Sequence, residues 1–414
     1  MHAAEVGPSP SAVGSSVVVV GIGADGWDGL ALRARAEVER AEVLLGSARQ
    51  LALVPPSVAA ERVSWPSPLR EALPGLIEAQ AGRATVVLAS GDPMLSGIGT
   101  TLIRLLGRDR VRVLPAPSSV SLACARLGWA VEEAEVVTLV GRPVELLHPH
   151  VQPGRRLLVL GSDGGTPAQV ASLLAGRGYG PSVVTVLGNL GGADETVHTG
   201  TAQGWSHVVP ALVVTAVECR ADRGTVPLPT TPGLPDDVYE SDGQLTKSDV
   251  RAVTLARLSP VPGQLLWDVG AGSGSVGIEW MRAHPACRAV AVETSAERVQ
   301  RIVRNAARLG VPHLQVRHGT APEMLGRLSR PDAVFVGGGV TTPGLLEACW
   351  DALPPGGRLV ANAVTVESEA VLAAWFARVG GDLVRVGVQH AEPVGRFTGW
   401  KPQMPVTIWS VVKP

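Results

Sequence analysis

The stretch LLWDVGAGSGSVGIEW, residues 265–280, sets Gly270, Gly272 and Gly274 on alternate positions directly after an apolar run. A strand, a turn without side chains and a helix start form a cradle for a nucleotide-like cofactor. The dinucleotide fingerprint GxGxxG is not met, because Ser275 stands where its third glycine belongs. Asp268 lies two positions before the first glycine. A carboxylate there would repel a pyrophosphate and would suit a cofactor with a cationic amino group. Glu293 closes the next apolar run, AVAVE, where an acid can accept both hydroxyls of a ribose. S-Adenosylmethionine joins an α-ammonium, a sulfonium and a ribose, and has no phosphate. Asp268, the glycine loop and Glu293 together predict a class I methyltransferase site for it.

Two further strand ends bear on that site. The third apolar run ends in HGTAPEML, where the Thr320 hydroxyl either accepts a bond from the adenine amino group or only caps the next helix. The fourth ends in VGGG, Val336–Gly339, with Gly338 among the cofactor candidates. These glycines either leave room for a bulky substrate beside the methyl group or make a plain tight turn. The Asn/Asp-Pro-Pro-aromatic signature of amino-group methylation in nucleic acids is absent from that position.

The elements that would position these residues come from the rest of the chain. It has 414 residues, 45% hydrophobic and 18% charged, with a formal net charge of -1. That supports more than one buried core and excludes disorder and binding of nucleic acid through bulk charge. Its lysines are Lys247, Lys401 and Lys413, against 36 Lys+Arg in all. Arginine's two-pronged fork suits a polyanionic ligand. Four scattered cysteines without CxxC spacing read as buried residues in a reducing compartment. The His148/His150 pair has no further ligand nearby and reads as a surface loop, so no metal is expected. Residues 1–15 read as a flexible tail and not as a signal peptide. No apolar run reaches the ~18 residues of a membrane span. A cytoplasmic protein is expected.

The proline-rich stretch at 219–235 reads as a stiff connector between domains over 16–218 and 236–414. Before it, Val/Leu runs alternate with helical patterns, and PAPSS (115–119) divides this half into two lobes. LALRARAEVERAEVLLG reads as one helix. After the connector the alternation predicts a Rossmann-like, seven-strand doubly wound sheet, with DLVRVGVQHAE and PVTIWSVVKP as its last strands.

The C-terminal half, from GLPDDVYESDGQLTKSDVRAV through GTAPEML and VFVGGG to GWKPQMPVTIWSV, resembles the decarboxylating precorrin methyltransferase domains of vitamin B12 synthesis. The resemblance implies that Thr246 sits over the cofactor, that Gly270, Ala271, Gly272, Ser273 and Gly274 form the methionine loop, that Glu293 binds the ribose, and that Ala321 lies at the adenine. The N-terminal half resembles a different, two-lobed fold that uses the same cofactor, the class III tetrapyrrole methylases. The carriers are GIGADGWDG with Gly21 and Gly23, LASGDPMLSGIGTTL with Gly91, Asp92 and Pro93, and LPAPSSVSLACARLGW with Ser119. Ala24, Val140 and Gly188 depart from that family's usual Pro, His and Glu.

Two methylase domains of these kinds imply a fusion with two S-adenosylmethionine sites. The implied reaction methylates precorrin-6B at ring carbons 5 and 15 and removes CO2 from the acetate on ring carbon 12, giving precorrin-8X. Enamine-like ring carbons are already nucleophilic, so positioning and exclusion of water would suffice, with no nucleophilic side chain. The substrate carries many carboxylates, which makes Arg396, Arg251 and Arg142 candidate anchors. The resemblance also implies a homo-oligomer. The alternatives are a fusion acting on another tetrapyrrole, a dehydrogenase, which Asp268 opposes, and a non-catalytic scaffold.

Overall fold

The computed structural model describes residues 16–414; the tail expected over 1–15 lies outside them. The described chain divides into two compact units: residues 16–141 with 154–222, and residues 142–153 with 223–414.

In the first unit, β1 (Val17–Ile22), β2 (Val43–Gly46), β3 (Glu61–Ser64), β4 (Thr85–Ser90) and β5 (Val111–Leu114) form a parallel sheet in the order β3-β2-β4-β1-β5. β6 (Ala134–Thr138), β7 (Arg156–Leu160), β8 (Val183–Gly188), β9 (Thr196–Thr201) and β10 (Val213–Glu218) form a mixed sheet in the order β6-β7-β10-β8-β9. The two lobes thus fall on either side of PAPSS. The single helix expected over LALRARAEVERAEVLLG is two elements: the helix stops at Glu39, and VLLG is β2. Val43, Leu44 and Leu45 are wholly buried in the sheet, whereas Leu32, needed for a helical stripe, is 84% exposed. β3, β6 and β9 are lobe-edge strands whose polar sequences hide them from a hydrophobicity reading.

In the second unit, β11 (Leu265–Val269), β12 (Arg288–Glu293), β13 (Gln315–His318), β14 (Ala333–Val336), β15 (Arg358–Ala363), β16 (Asp382–Val386) and β19 (Val406–Val412) form the expected seven-strand sheet in the order β13-β12-β11-β14-β15-β19-β16. The first five are parallel, and β19 runs antiparallel between β15 and β16. Strand alternation divides the core. Leu266 and Ala291 pack with the helices Ser248–Leu258, Ser275–Ala283 and Ala296–Arg308; Trp267, Val269 and Val292 pack with Leu345–Ala352 and Val366–Val379. DLVRVGVQHAE is not one strand: β16 ends at Val386, and Gln389 begins a separate hairpin of β17 (Gln389–Val394) and β18 (Phe397–Pro402). APEMLGRLS forms turns and one 3₁₀ turn instead of a helix.

Part of the proline-rich connector is built into this unit. Leu228 and Leu234 join its core, and the Gly233 and Leu234 N–H groups donate to Glu279 at 2.6 and 3.1 Å. The segment 142–153 belongs to it as well. Gly310 leaves the helix Ala296–Arg308 at φ +85°, and a Cβ there would come within 2.4 Å of Pro149 Cδ.

Candidate active sites

In the second unit, the carboxyl ends of β11, β12, β14 and β15 open into a cleft of about 1040 Å³. Thr246, Gly270, Ala271, Gly272, Glu293, Thr320, Ala321 and Gly338 all line it. The glycines are required by two causes. Gly270, Gly272 and Gly274 have φ of +70°, +60° and +77°, a region costly for other residues. A Cβ on Gly270 would also lie 2.9–3.0 Å from the Gly338 backbone, so the first and fourth strand-end loops touch. Glu293, 4% exposed, accepts the Gly272 N–H at 2.8 Å through one oxygen and the Thr294 and Ser295 N–H groups through the other. The acid is thereby fixed at the cleft wall with its loop preorganised.

Several expected residues lie elsewhere. Asp268 is 1% exposed and does not line the cleft. It stands on the Leu266 side of β11, where one oxygen accepts the Gly277 N–H at 2.8 Å and the other has no partner. Burial pushes its carboxyl up to about 7 against the lowering effect of that N–H bond. The acid supports the helix start behind the loop. Ser273 and Gly274 also sit behind the lining: the Ser273 hydroxyl donates to the Gln244 carbonyl at 3.3 Å, and Gly274 packs on Ile302.

Arg251 is no substrate anchor. It is fully buried, and its guanidinium donates to Glu279 at 2.6 Å, to Asp236 at 3.2 Å, and to the Thr246 and Leu234 carbonyls. Arg396 occupies the exposed turn of the β17–β18 hairpin with its guanidinium 5.2 Å from the Phe397 ring and does not line the cleft; Arg142, a candidate for the N-terminal site, is exposed at the start of the 142–153 segment.

The cleft holds residues that sequence reasoning passed over. Lys247 and Arg298 line it, as do Asn362, Met404 and Val406. Asn362 donates to the Thr254 hydroxyl at 3.0 Å, which donates its own proton to the Val250 carbonyl at 2.8 Å. That chain fixes the amide orientation and leaves its Oδ1 without a partner. The signal was available: Asn362 is the one polar residue between Leu359 and Val364, at a strand's carboxyl end.

In the first unit, Gly21, Gly23, Gly91, Asp92, Pro93 and Ser119 come from the ends of β1 and β4 and the stretch after β5, at one end of the parallel sheet. A Cβ on Gly21 would lie 2.1 Å from the Gly91 carbonyl oxygen and 2.6 Å from the Ala116 nitrogen. Asp92 accepts the Met94 N–H at 2.8 Å, and Ser118 caps the helix that begins at Ser119. Gly192, in the loop after β8, comes against Ala24, as a Cβ on it would be 3.1 Å from Ala24 Cβ. The missing Glu at position 188 has a packing reason: a Cβ there would lie 2.4 Å from Pro210 Cγ.

Residues 237–413 match the family model "Precorrin methyltransferase domain", and residues 16–204 match "Tetrapyrrole (Corrin/Porphyrin) Methylases". The chain is 48% identical to a precorrin-6Y C(5,15)-methyltransferase (decarboxylating) from a Sinorhizobium species, over 98% of both chains. It is 50% identical to the protein of that name from Mycobacterium tuberculosis strain H37Rv, over 96% of this chain and 100% of the relative. The crystal structure of the C-terminal domain of precorrin-6Y C5,15-methyltransferase from Rhodobacter capsulatus is 45% identical and covers 45% of this chain and 100% of that one, with a TM-score of 0.43. On its full-length identity to these relatives, the chain is a methyltransferase and belongs to the family of decarboxylating precorrin-6Y C5,15-methyltransferases.

Proposed function

We propose that the protein methylates precorrin-6B at ring carbons 5 and 15 and removes CO2 from the acetate on ring carbon 12, giving precorrin-8X. Residues 16–218 act at carbon 5; residues 236–414, joined through 219–235, act at carbon 15 and release CO2. The observation that carries this reading is the pair of glycine-lined strand-end sites, each inside a stretch that matches its own methylase family.

Each site takes one S-adenosylmethionine, which supplies an electrophilic methyl group. The second-unit cleft fits it. Gly338 leaves open space where a Cβ would meet only the Gly270 carbonyl oxygen at 3.9 Å, and Glu293 offers a carboxylate where ribose hydroxyls need an acceptor. Thr246, Gly270–Gly272, Glu293, Thr320, Ala321 and Gly338 would hold it. The chain's own contribution is orientation and exclusion of water: Phe335, Val406 and Val250 give the cleft an apolar side against which a flat macrocycle can lie. In the first unit, Gly21, Gly23, Gly91, Asp92, Pro93 and Ser119 hold the second cofactor.

The protein works as a homo-oligomer in the cytoplasm. In support, the β17–β18 hairpin carries Val394, Phe397 and Trp400 at 64–73% exposure, and none of the four cysteines is in a disulfide. No described helix is long and apolar enough to cross a membrane.

Calorimetric titration tests the two-site reading. The expected result is two S-adenosylmethionine sites per chain, of which Gly270→Val removes one, and no NAD binding; a single site, or heat from NAD, refutes it.

A further inference from the structure

The proposed reaction removes one carboxylate from a molecule that carries many, so the cleft must treat that one differently. Among the described residues, its charged lining groups are Lys247, Glu293, Arg298 and Glu323. Glu293 is committed to the loop N–H groups, and Glu323 follows Thr320 and Ala321 at the expected adenine end. Arg298 is held by Asp242 at 2.8 Å. Lys247 is held loosely. Its ammonium is 3.6 Å from Asp236, whose other oxygen already takes a bond from the buried Arg251, and its side chain is 48% exposed. The other two lysines each have direct partners at 2.7–2.8 Å. Lys247 is therefore the cation of this cleft that can change partners at little cost.

The remaining wall has the opposite character. Val250, Phe335, Val364, Met404 and Val406 are apolar, and Asn362 and Gln403 are neutral. A carboxylate pressed there loses water without gaining a counter-ion, which raises its energy. Losing CO2 relieves that cost, whereas an ion pair would stabilise the ground state and slow the loss.

We infer that the cleft selects the departing carboxylate by withholding a cation from it: Lys247 pairs with a carboxylate the product keeps, and the acetate that is lost lies against the uncharged wall. This rests on the proposed role of the C-terminal unit. In the step, the bond between the acetate methylene and its carboxylate carbon breaks heterolytically. The electron pair passes into the conjugated ring, CO2 leaves, and a proton from water completes the methyl group.

The test uses the full chain with S-adenosylmethionine and the metal-free macrocycle, and measures KM and the ratio of CO2 released to methyl added at carbon 15. Val364→Lys sets a cation in the wall at a position 49% exposed, where a lysine can be accommodated. It should lower the ratio about tenfold or more, with methylated, undecarboxylated product accumulating, whereas Val364→Gln should keep the ratio; Val406→Lys repeats the test on a neighbouring strand. Lys247→Met should raise the macrocycle KM about tenfold at constant ratio and constant S-adenosylmethionine Kd. An unchanged ratio in both lysine insertions overturns the inference, as does a Lys247→Met effect confined to cofactor Kd. A wild-type chain that neither methylates nor releases CO2 would instead refute the underlying reading.

Discussion

Arg251 and Glu279 form an ion pair at 2.6 Å with side chains 0% and 2% exposed, and around it the entry to the C-terminal unit is assembled. Glu279 also accepts from Gly233, Leu234 and the Tyr239 hydroxyl, and Arg251 reaches the Leu234 and Thr246 carbonyls. One buried pair thus fastens the connector, the strap before the helix Ser248–Leu258 and the helix Ser275–Ala283.

Removing one partner strands the other. Arg251→Met leaves a buried carboxylate without its cation and should cost the C-terminal unit about 3–5 kcal/mol, whereas Arg251→Met/Glu279→Gln, which removes the stranded charge and keeps an oxygen acceptor, should recover part of that loss. Urea unfolding monitored by tryptophan fluorescence checks this. An Arg251→Met transition that coincides with wild type would mean that the pair bears little of the fold.

Asp268 makes stability depend on pH. Its carboxyl is raised from 3.8 to about 7, so across that window the folded chain holds a proton that the unfolded chain has released. This group therefore makes stability fall as pH rises from 3.8 to about 7, after which its effect levels off. Asp268→Asn should remove that fall, and the stability difference, variant minus wild type, should grow with pH across the window. Melting curves at fixed ionic strength decide it; a difference independent of pH would show that Asp268 is ionised throughout.

The glycine loop, Glu293 and the strand ends were legible because each depends on residues adjacent in sequence: a turn needs glycine where φ is positive, and a parallel sheet puts its strand ends together. Arg251 was not. Whether an arginine faces a ligand or the core depends on Glu279, 28 residues away, and on backbone carbonyls that no pattern reveals. Asp268 was misdirected for a subtler reason. Its position on β11 was right, but strand alternation puts it on the Leu266 side with the Gly277 N–H group, away from the cleft. The hairpin of β17 and β18 escaped because Pro393, Gly395 and its charged residues give no apolar run, and nearly all its residues are exposed on both faces.

Glu293 joins loop order to cofactor affinity. Glu293→Ala removes the acceptor of the Gly272 N–H group and the proposed ribose contact together, and should weaken S-adenosylmethionine binding at the C-terminal site about tenfold or more, or roughly 1.4 kcal/mol. Glu293→Gln, which keeps one oxygen acceptor, should lose less. Calorimetric Kd values check the order; equal affinity in Glu293→Ala and wild type would remove Glu293 from the site.

The central claim is that two sites on one chain divide one reaction. Mass spectrometry of metal-free precorrin-6B incubated with S-adenosylmethionine and the full-length protein, wild type or altered at one glycine loop, tests it most directly. Wild type should give a product with two added methyl groups and one carboxylate fewer. Gly21→Val should stop the carbon-5 methylation while CO2 is still lost, and Gly270→Val should stop carbon-15 methylation and CO2 loss together. Loss of CO2 persisting in Gly270→Val would contradict the account.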